Sequence, residues 1–464
     1  MLFNSIEYLF FLPIVFLIYW LVCSNIRSRN LLIVGASFVF YGWWDWRFLS
    51  LMVMSCFCSF FAGLLLERSE KRRKLILIAS LAVNLGILFV FKYYNFFMES
   101  AREVVQVFGL RPSFSFISVV LPVGISFYTF QAVGYTVDVY RRGFKAVKDP
   151  ILFFAFISFF PQLVAGPIER ASNLIPQFTA PRTFNNALAV DGMRQILWGL
   201  MKKMLLADNC AVVANYVFAH YANLSAMDLW LGAICFTFQI YGDFSGYSDI
   251  AIGSGKLFGI RLMQNFRLPY FSQTIPEFWR RWHISLMTWL RDYVYFSLGG
   301  SRCSRLKHGR NVALVFLVSG LWHGANWTFV TWGLYHAALF LPYSFLKPKP
   351  TGWEKRLLAV VTFVLVVIGW VIFRSATLFD AGQYISGMFN ANNGSAVTCG
   401  RQPLIYVIIF TIVEYFFRKR EFPLALQQRG LMKYRTCRFG FYLLAFLLTL
   451  MLGGKQMPFI YFQF

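Results

Sequence analysis

Charge, and negative charge above all, is what this sequence lacks. It has only 20 Asp and Glu against 44 Lys and Arg in 464 residues, 14% charged in all. A soluble domain carries about 25%. That shortage excludes an ordinary water-soluble fold. Residues of the hydrophobic class make up 58%, with 54 phenylalanines and 14 tryptophans. Such a composition suits helices that face lipid as well as protein. The net charge of +24 does not point to nucleic acid. The basic residues sit in short loops between apolar runs, as the positive-inside rule requires. No nucleic-acid partner is expected.

Other absences narrow the reading further. The eight cysteines form no CxxC pair and no zinc spacing, so neither a disulfide framework nor a metal site is expected. They read as small buried hydrophobes. Met1 to Glu7 has no basic stretch and no clear small-residue cleavage site follows. Tyr8–Val22 is therefore expected to be a retained first span. No internal repeat is detectable, so the inverted-repeat signature of many transporters is missing.

What is present is a ladder of apolar runs near 8–22, 31–47, 49–66 and 75–91, each able to span or nearly span a bilayer. The breaks carry Arg27 and Arg29, then Arg68 to Lys74, then Arg141, Arg142, Lys145 and Lys148. Placed in the cytoplasm, they put the N-terminus outside. Beyond 151 the runs are interrupted at Gly166-Pro167, Gly242–Gly246 and Gln264–Arg281. Irregular backbone at membrane depth survives only where protein buries it or where it lines a cavity. The expectation is an all-α polytopic protein, one domain over 1–464, with about 11–13 transmembrane or re-entrant helices around a central funnel. A last basic loop, Arg418 to Arg438, precedes a span near 439–454, which carries the tail 455–464 outward.

Histidine is rare as well: His220, His283, His308, His323 and His336. Ionisable groups within membrane segments are costly and mark candidate sites. His308 reads as a solvated loop residue and His220 as interfacial. His323 lies in the uncharged run Leu314–Val330, with Asn326 and Trp327 on its face if the helix continues. It suits a general base for a hydroxyl nucleophile, or else a satisfied core histidine. On an unbroken helix His336 would fall about 220° away. His283 lies in a helix-like stretch, Pro276–Ser297, with Trp279, Trp282, Leu286 and Trp289 on one face. Arg280, Arg281 and Arg291 there suit either an interfacial helix or the phosphates of a cytoplasmic cofactor. Asp243 and Asp249 need a cavity or partners; a substrate contact and hydrogen bonding between helices both remain open.

The segments YGDFSGYSDIA (241–251), NFRLPYFSQTIPEFWRRWHISLMTWLRDYVYFSLGG (265–300) and GLWHGANWTFVTWGLYHA (320–337), with QLVAGPIERASNLIPQF (162–178), resemble the membrane-bound O-acyltransferase superfamily. The branch they are similar to is that of the bacterial alginate O-acetylation membrane protein, and the likeness runs over nearly the whole chain. The resemblance implies His323 as catalytic histidine and His283 as its partner position. It also implies acetyl-CoA as a cytoplasmic acyl donor, a bacterial inner-membrane location and O-acylation of an exported polymer. A separate extracytoplasmic serine-type (SGNH) acyltransferase would be the partner. The terminal Phe459-Ile-Tyr-Phe-Gln-Phe464 resembles an FxYxxF tail, in which Tyr461 would carry the acyl group. An aromatic anchor at the outer interface is the alternative. Rival functions are a lipid-linked sugar flippase, D-alanyl transfer to teichoic acid, and a structural anchor for a secretion complex.

Overall fold

The computed structural model describes residues 1–460 apart from 110–118, 165, 347–350, 391–399 and 426–429. The described chain is helical throughout and packs as two compact units. The first comprises Met1–Asn185 with Leu257–Met263 and Gly324–Asn326, and the second holds the remainder. Twenty α-helices are described. Among the described residues, four helical stretches are long and apolar enough to cross a membrane: Ile26–Arg68, Arg73–Val107, Glu354–Arg374 and Arg435–Leu452. Ile6–Val22 and Pro403–Phe416 are shorter apolar helices.

In unit 1, α1 (Ile6–Leu17), α2 (Ile26–Asp45), α3 (Leu49–Arg68) and α4 (Arg73–Leu88) follow the four apolar runs closely. Asn25 caps α2 by accepting from the Ser28 amide at 2.8 Å, which satisfies one of the orphan donors of the first turn. After α5 (Tyr94–Val107) come α6 (Ile125–Tyr140), α7 (Pro150–Ser158), α8 (Phe160–Leu163) and α9 (Ala171–Thr179). Two of the basic loops meet. Arg142 pairs with Glu70 at 2.5 Å, and Arg73 donates to the carbonyls of Val139 and Tyr140 at 3.0 and 2.7 Å.

Unit 2 opens with α10 (Asn186–Met201), a π-helical segment Lys202–Ala207, and α11 (Asp208–His220). Its central element is α12 (Ala226–Leu257), 32 residues without interruption. The break expected at Gly242–Gly246 does not occur. These glycines serve close approach instead. A Cβ on Gly246 would lie 2.7 Å from the Gly199 carbonyl, and one on Gly253 would lie 2.5 Å from that of Gly192. Two glycine pairs seven residues apart thus let α10 and α12 touch backbone to backbone, the small-residue packing of membrane helices.

The stretch Pro276–Ser297 is not one helix either. It divides into α13 (Ile275–Arg281), α14 (Ile284–Leu290) and a π-helical turn Arg291–Tyr295. Next come α15 (Arg305–His323) and α16 (Trp327–Leu346), joined by the three-residue turn 324–326. Gly320 lies against the Phe329 carbonyl and Gly333 against that of Phe316, so no larger side chain fits where these two helices cross. The unit is completed by α17 (Glu354–Arg374), α18 (Leu378–Met388), α19 (Pro403–Phe416) and α20 (Arg435–Leu452).

Candidate active site

His323 is the last residue of α15, at the tip of the α15–α16 hairpin. The helix does not continue past it, so Asn326 lies in the turn and not one helical turn away on the same face. Only 3% of His323 is exposed. Its ring meets Trp322, Trp332 and Phe373 at centroid distances of 5.0, 5.1 and 5.4 Å, each nearly edge-on. His283 lies 6.3 Å from the same ring. One chamber in unit 2 therefore brings together two histidines that lie forty positions apart in sequence.

His283 is there because the chain turns sharply. It has φ 45° and ψ 52°, a left-handed conformation that costs a non-glycine residue of order 1–3 kcal/mol. Asn265 holds that turn. The Ile284 amide donates to the Asn265 carbonyl at 2.9 Å, and the Ser285 hydroxyl donates to its Oδ1 at 2.6 Å. Asn265 Nδ2 donates in turn to Ser248 Oγ of α12 at 3.1 Å. The Arg267 amide donates to the Arg281 carbonyl at 2.9 Å, clamping the other side. His283 is fully buried, between Phe244 at 4.7 Å and Trp322 at 5.4 Å. Neither of its ring nitrogens meets a hydrogen-bonding side chain among the described residues. A buried polar group in that state asks for an explanation, and a reacting ligand is one.

The walls are aromatic. Trp282 stands 4.8 Å from Trp370, Trp370 stands 5.8 Å from Trp332, and Trp332 faces both His323 and His336. His336 is fully buried on α16, 4.9 Å from Trp279. The angular argument from an unbroken helix does not apply to it, because the hairpin intervenes. His323 and His336 flank Trp332 from two different helices. The i,i+4 spacing of Trp332 and His336 was the available signal. His308 is a helix residue, not a loop residue, with Nδ1 3.0 Å from the Tyr295 hydroxyl and Nε2 2.8 Å from Ser344 Oγ. His220, at the end of α11, contacts the Tyr216 carbonyl at 2.9 Å.

The candidate carboxylates face elsewhere. Asp243 pairs with Lys203 at 2.8 Å, and Lys203 also pairs with Asp208 at 2.9 Å. Asp249 pairs with Lys202 at 2.5 Å and accepts from Gln195 at 2.8 Å. Neither lysine stood out in the sequence, although both interrupt an apolar run. Of the arginines, Arg280 is exposed, whereas Arg281 forms an i,i+4 ion pair with Glu277 at 2.6 Å.

The tail enters the same unit. Lys203 donates to the Met457 carbonyl at 3.0 Å, and the Ile460 amide donates to Asp243 at 2.7 Å. Phe459 is fully buried, 4.3 Å from Tyr247 and 6.2 Å from Phe244. Phe244 is the ring that touches His283, so the tail and the histidine share a wall. Tyr461 lies outside the described residues.

A buried imidazole pair in an aromatic chamber fits proton transfer to and from a hydroxyl in a water-poor site. The family model for the membrane-bound O-acyltransferase family matches residues 36–378. A probable alginate O-acetylase, AlgI, of Pseudomonas putida is 39% identical over the full length of both chains. The one from Pseudomonas aeruginosa is 42% identical, over 91% of this chain and 82% of its own. A peptidoglycan O-acetyltransferase of Helicobacter pylori is 36% identical over 85% and 81%. With the all-helical fold, the apolar spans and these matches together, the chain belongs to the membrane-bound O-acyltransferase family.

Proposed function

We propose that this enzyme moves an acetyl group from cytoplasmic acetyl-CoA to the outer face of the bacterial inner membrane, for O-acetylation of an exported cell-surface polysaccharide. The observation that carries the reading is the buried His283–His323 pair in its aromatic chamber. His323 takes the proton of an incoming hydroxyl as the oxygen attacks the thioester carbonyl. The thiolate of CoA leaves and takes up a proton, and the acetyl ester remains on the oxygen. His283 polarises or positions the donor carbonyl. Excluding water protects the thioester from hydrolysis. Arg280 and Arg281 are assigned to the donor phosphates, and Asn326 to the neighbourhood of the substrate.

Similarity to alginate and peptidoglycan O-acetylating relatives supports a polysaccharide acceptor. A serine-type extracytoplasmic transferase completes the transfer. The meeting of loops 67–74 and 139–142 supports their placement on one side, here the cytoplasmic one, with both termini outside. Asp243 is read as a clamp on the tail. The docked segment Met457–Ile460 supports a relay in which Tyr461 accepts the acetyl group. A phenol has a pKa near 10 and so needs a base to attack at neutral pH.

His323→Ala is expected to abolish polymer acetylation in cells while the protein stays at normal abundance in the membrane. Normal ester content would refute the assignment. Tyr461→Phe keeps the ring and removes the nucleophile. The relay requires acetylation to be lost in that variant, with an acetyl ester on Tyr461 of the native protein by mass spectrometry. If acetylation survives, the tail is an anchor and the polymer-side acceptor enters directly.

A further inference from the structure

Unit 1 contains an open hollow of about 670 Å³ whose walls include Ser24, Asn25, Arg27, Arg29 and Arg182. Three arginines share it, and among the described residues no carboxylate pairs with any of them. Two are held rigidly. Arg29 donates through Nε to the Cys23 carbonyl at 3.1 Å and through Nη1 to the Arg182 carbonyl. Its guanidinium lies over Trp20 at 4.8 Å and Tyr19 at 5.2 Å. Arg182 lies over Tyr19 at 5.5 Å and Phe178 at 5.4 Å, and donates through Nη2 to Asn30 at 3.0 Å. Its Nε and Nη1 are buried and have no acceptor.

Holding two guanidinium groups on one tyrosine ring costs Coulomb repulsion. Burying two N–H groups without acceptors costs more. An anion with several oxygens lodged against the arginines offsets the repulsion between them, and the planar fork of arginine matches phosphate. The end of α2 is not the source of the charge, since Asn25 already caps it. In the chain next to these walls, Leu21 and Val22 before Ser24 and Phe184 after Arg182 present exposed apolar side chains, with the Phe184 ring 5.5 Å from Trp20. A cationic pocket next to an exposed apolar wall matches an amphiphile with an anionic head. We propose that this hollow binds a phosphate ester, and its wall fits one carried by an anionic glycerophospholipid.

The full chain in detergent, with phosphatidylglycerol or phosphatidylcholine added, is assayed for retained lipid by native mass spectrometry. Adenosine 3′,5′-bisphosphate provides a soluble phosphate ester as competitor. Phosphatidylglycerol should be retained over phosphatidylcholine, and Arg182→Gln should weaken retention by about tenfold. Arg302→Gln removes the same charge from an exposed site and should change nothing. Should Arg182→Gln fold poorly, Arg27→Gln removes a side chain with no ion pair and should weaken retention about fivefold. Displacement of the lipid by the bisphosphate, or bisphosphate binding that is lost in Arg182→Gln, supports a phosphate site with a soluble source. Equal retention in Arg182→Gln, Arg27→Gln and Arg302→Gln, or an equal loss in all three, overturns the site.

Discussion

Two buried polar regions of unit 2 stand on the same helix, α12, and they are built on opposite rules. Around Asp243 and Asp249 each carboxylate is paired within the protein: Lys203 bridges Asp243 and Asp208, and Lys202 takes Asp249. Beside Phe244, one residue on from Asp243, the neighbour is His283, whose ring nitrogens meet no side-chain partner among the described residues. A matched buried cluster stabilises one arrangement and leaves nothing for a substrate to displace. An unmatched imidazole in an aromatic chamber costs stability and keeps its nitrogens available for chemistry. The carboxylates are engaged within the protein, and the proposal rests on the histidines.

That contrast is broken most forcefully on the matched side. Lys203→Ala leaves Asp208 and Asp243 without their shared cation and releases the tail, so a loss of about 3–5 kcal/mol is expected. Thermal unfolding of the purified protein measures it; an unchanged midpoint would mean that the ion cluster is not structural. Asn265→Ala tests the support of the unmatched side. It removes the side-chain bonds to Ser285 and Ser248, at about 1–3 kcal/mol. It also loosens the side-chain grip on the His283 turn while the backbone bond from Ile284 remains, so turnover should fall by more than the stability loss explains. Turnover equal to the native protein's at a temperature where the variant is folded would contradict the positioning role. The smallest effect is expected at Arg280, which is exposed. Arg280→Gln should leave folding unchanged and raise the acetyl-CoA concentration needed for half-maximal rate. Wild-type dependence on that concentration would remove Arg280 from the donor side.

Much of unit 1 was legible in the sequence, because hydrophobic length alone marks a span: the runs at 31–47, 49–66 and 75–91 became α2, α3 and α4. The centre of unit 2 was less so. Pro276–Ser297 has helical spacing throughout, and what breaks it is the long-range grip of Asn265 on Ser285 and the Ile284 amide. Gly242–Gly246 has the composition of a break but lies in a continuous helix, since its glycines answer to carbonyls on a neighbouring helix. His323 was singled out by its apolar run and by resemblance. Its approach to His283 was not readable from spacing, because both residues sit at helix ends whose directions only tertiary packing decides. Lys202 and Lys203 were missed for the same reason: their partners lie on other helices.

The central claim is that His323 serves chemistry and not folding. The most direct measurement follows acetyl-CoA-dependent transfer and thermal unfolding together, in purified native protein and His323→Ala, with Lys203→Ala alongside. Loss of a general base costs about 10²–10⁴ in rate. His323→Ala should lose that much turnover while its unfolding midpoint stays at or above the native value, whereas Lys203→Ala should lose its midpoint first. If His323→Ala instead keeps turnover, or loses it only in step with its stability, the chamber is a packed core and the catalytic assignment is wrong.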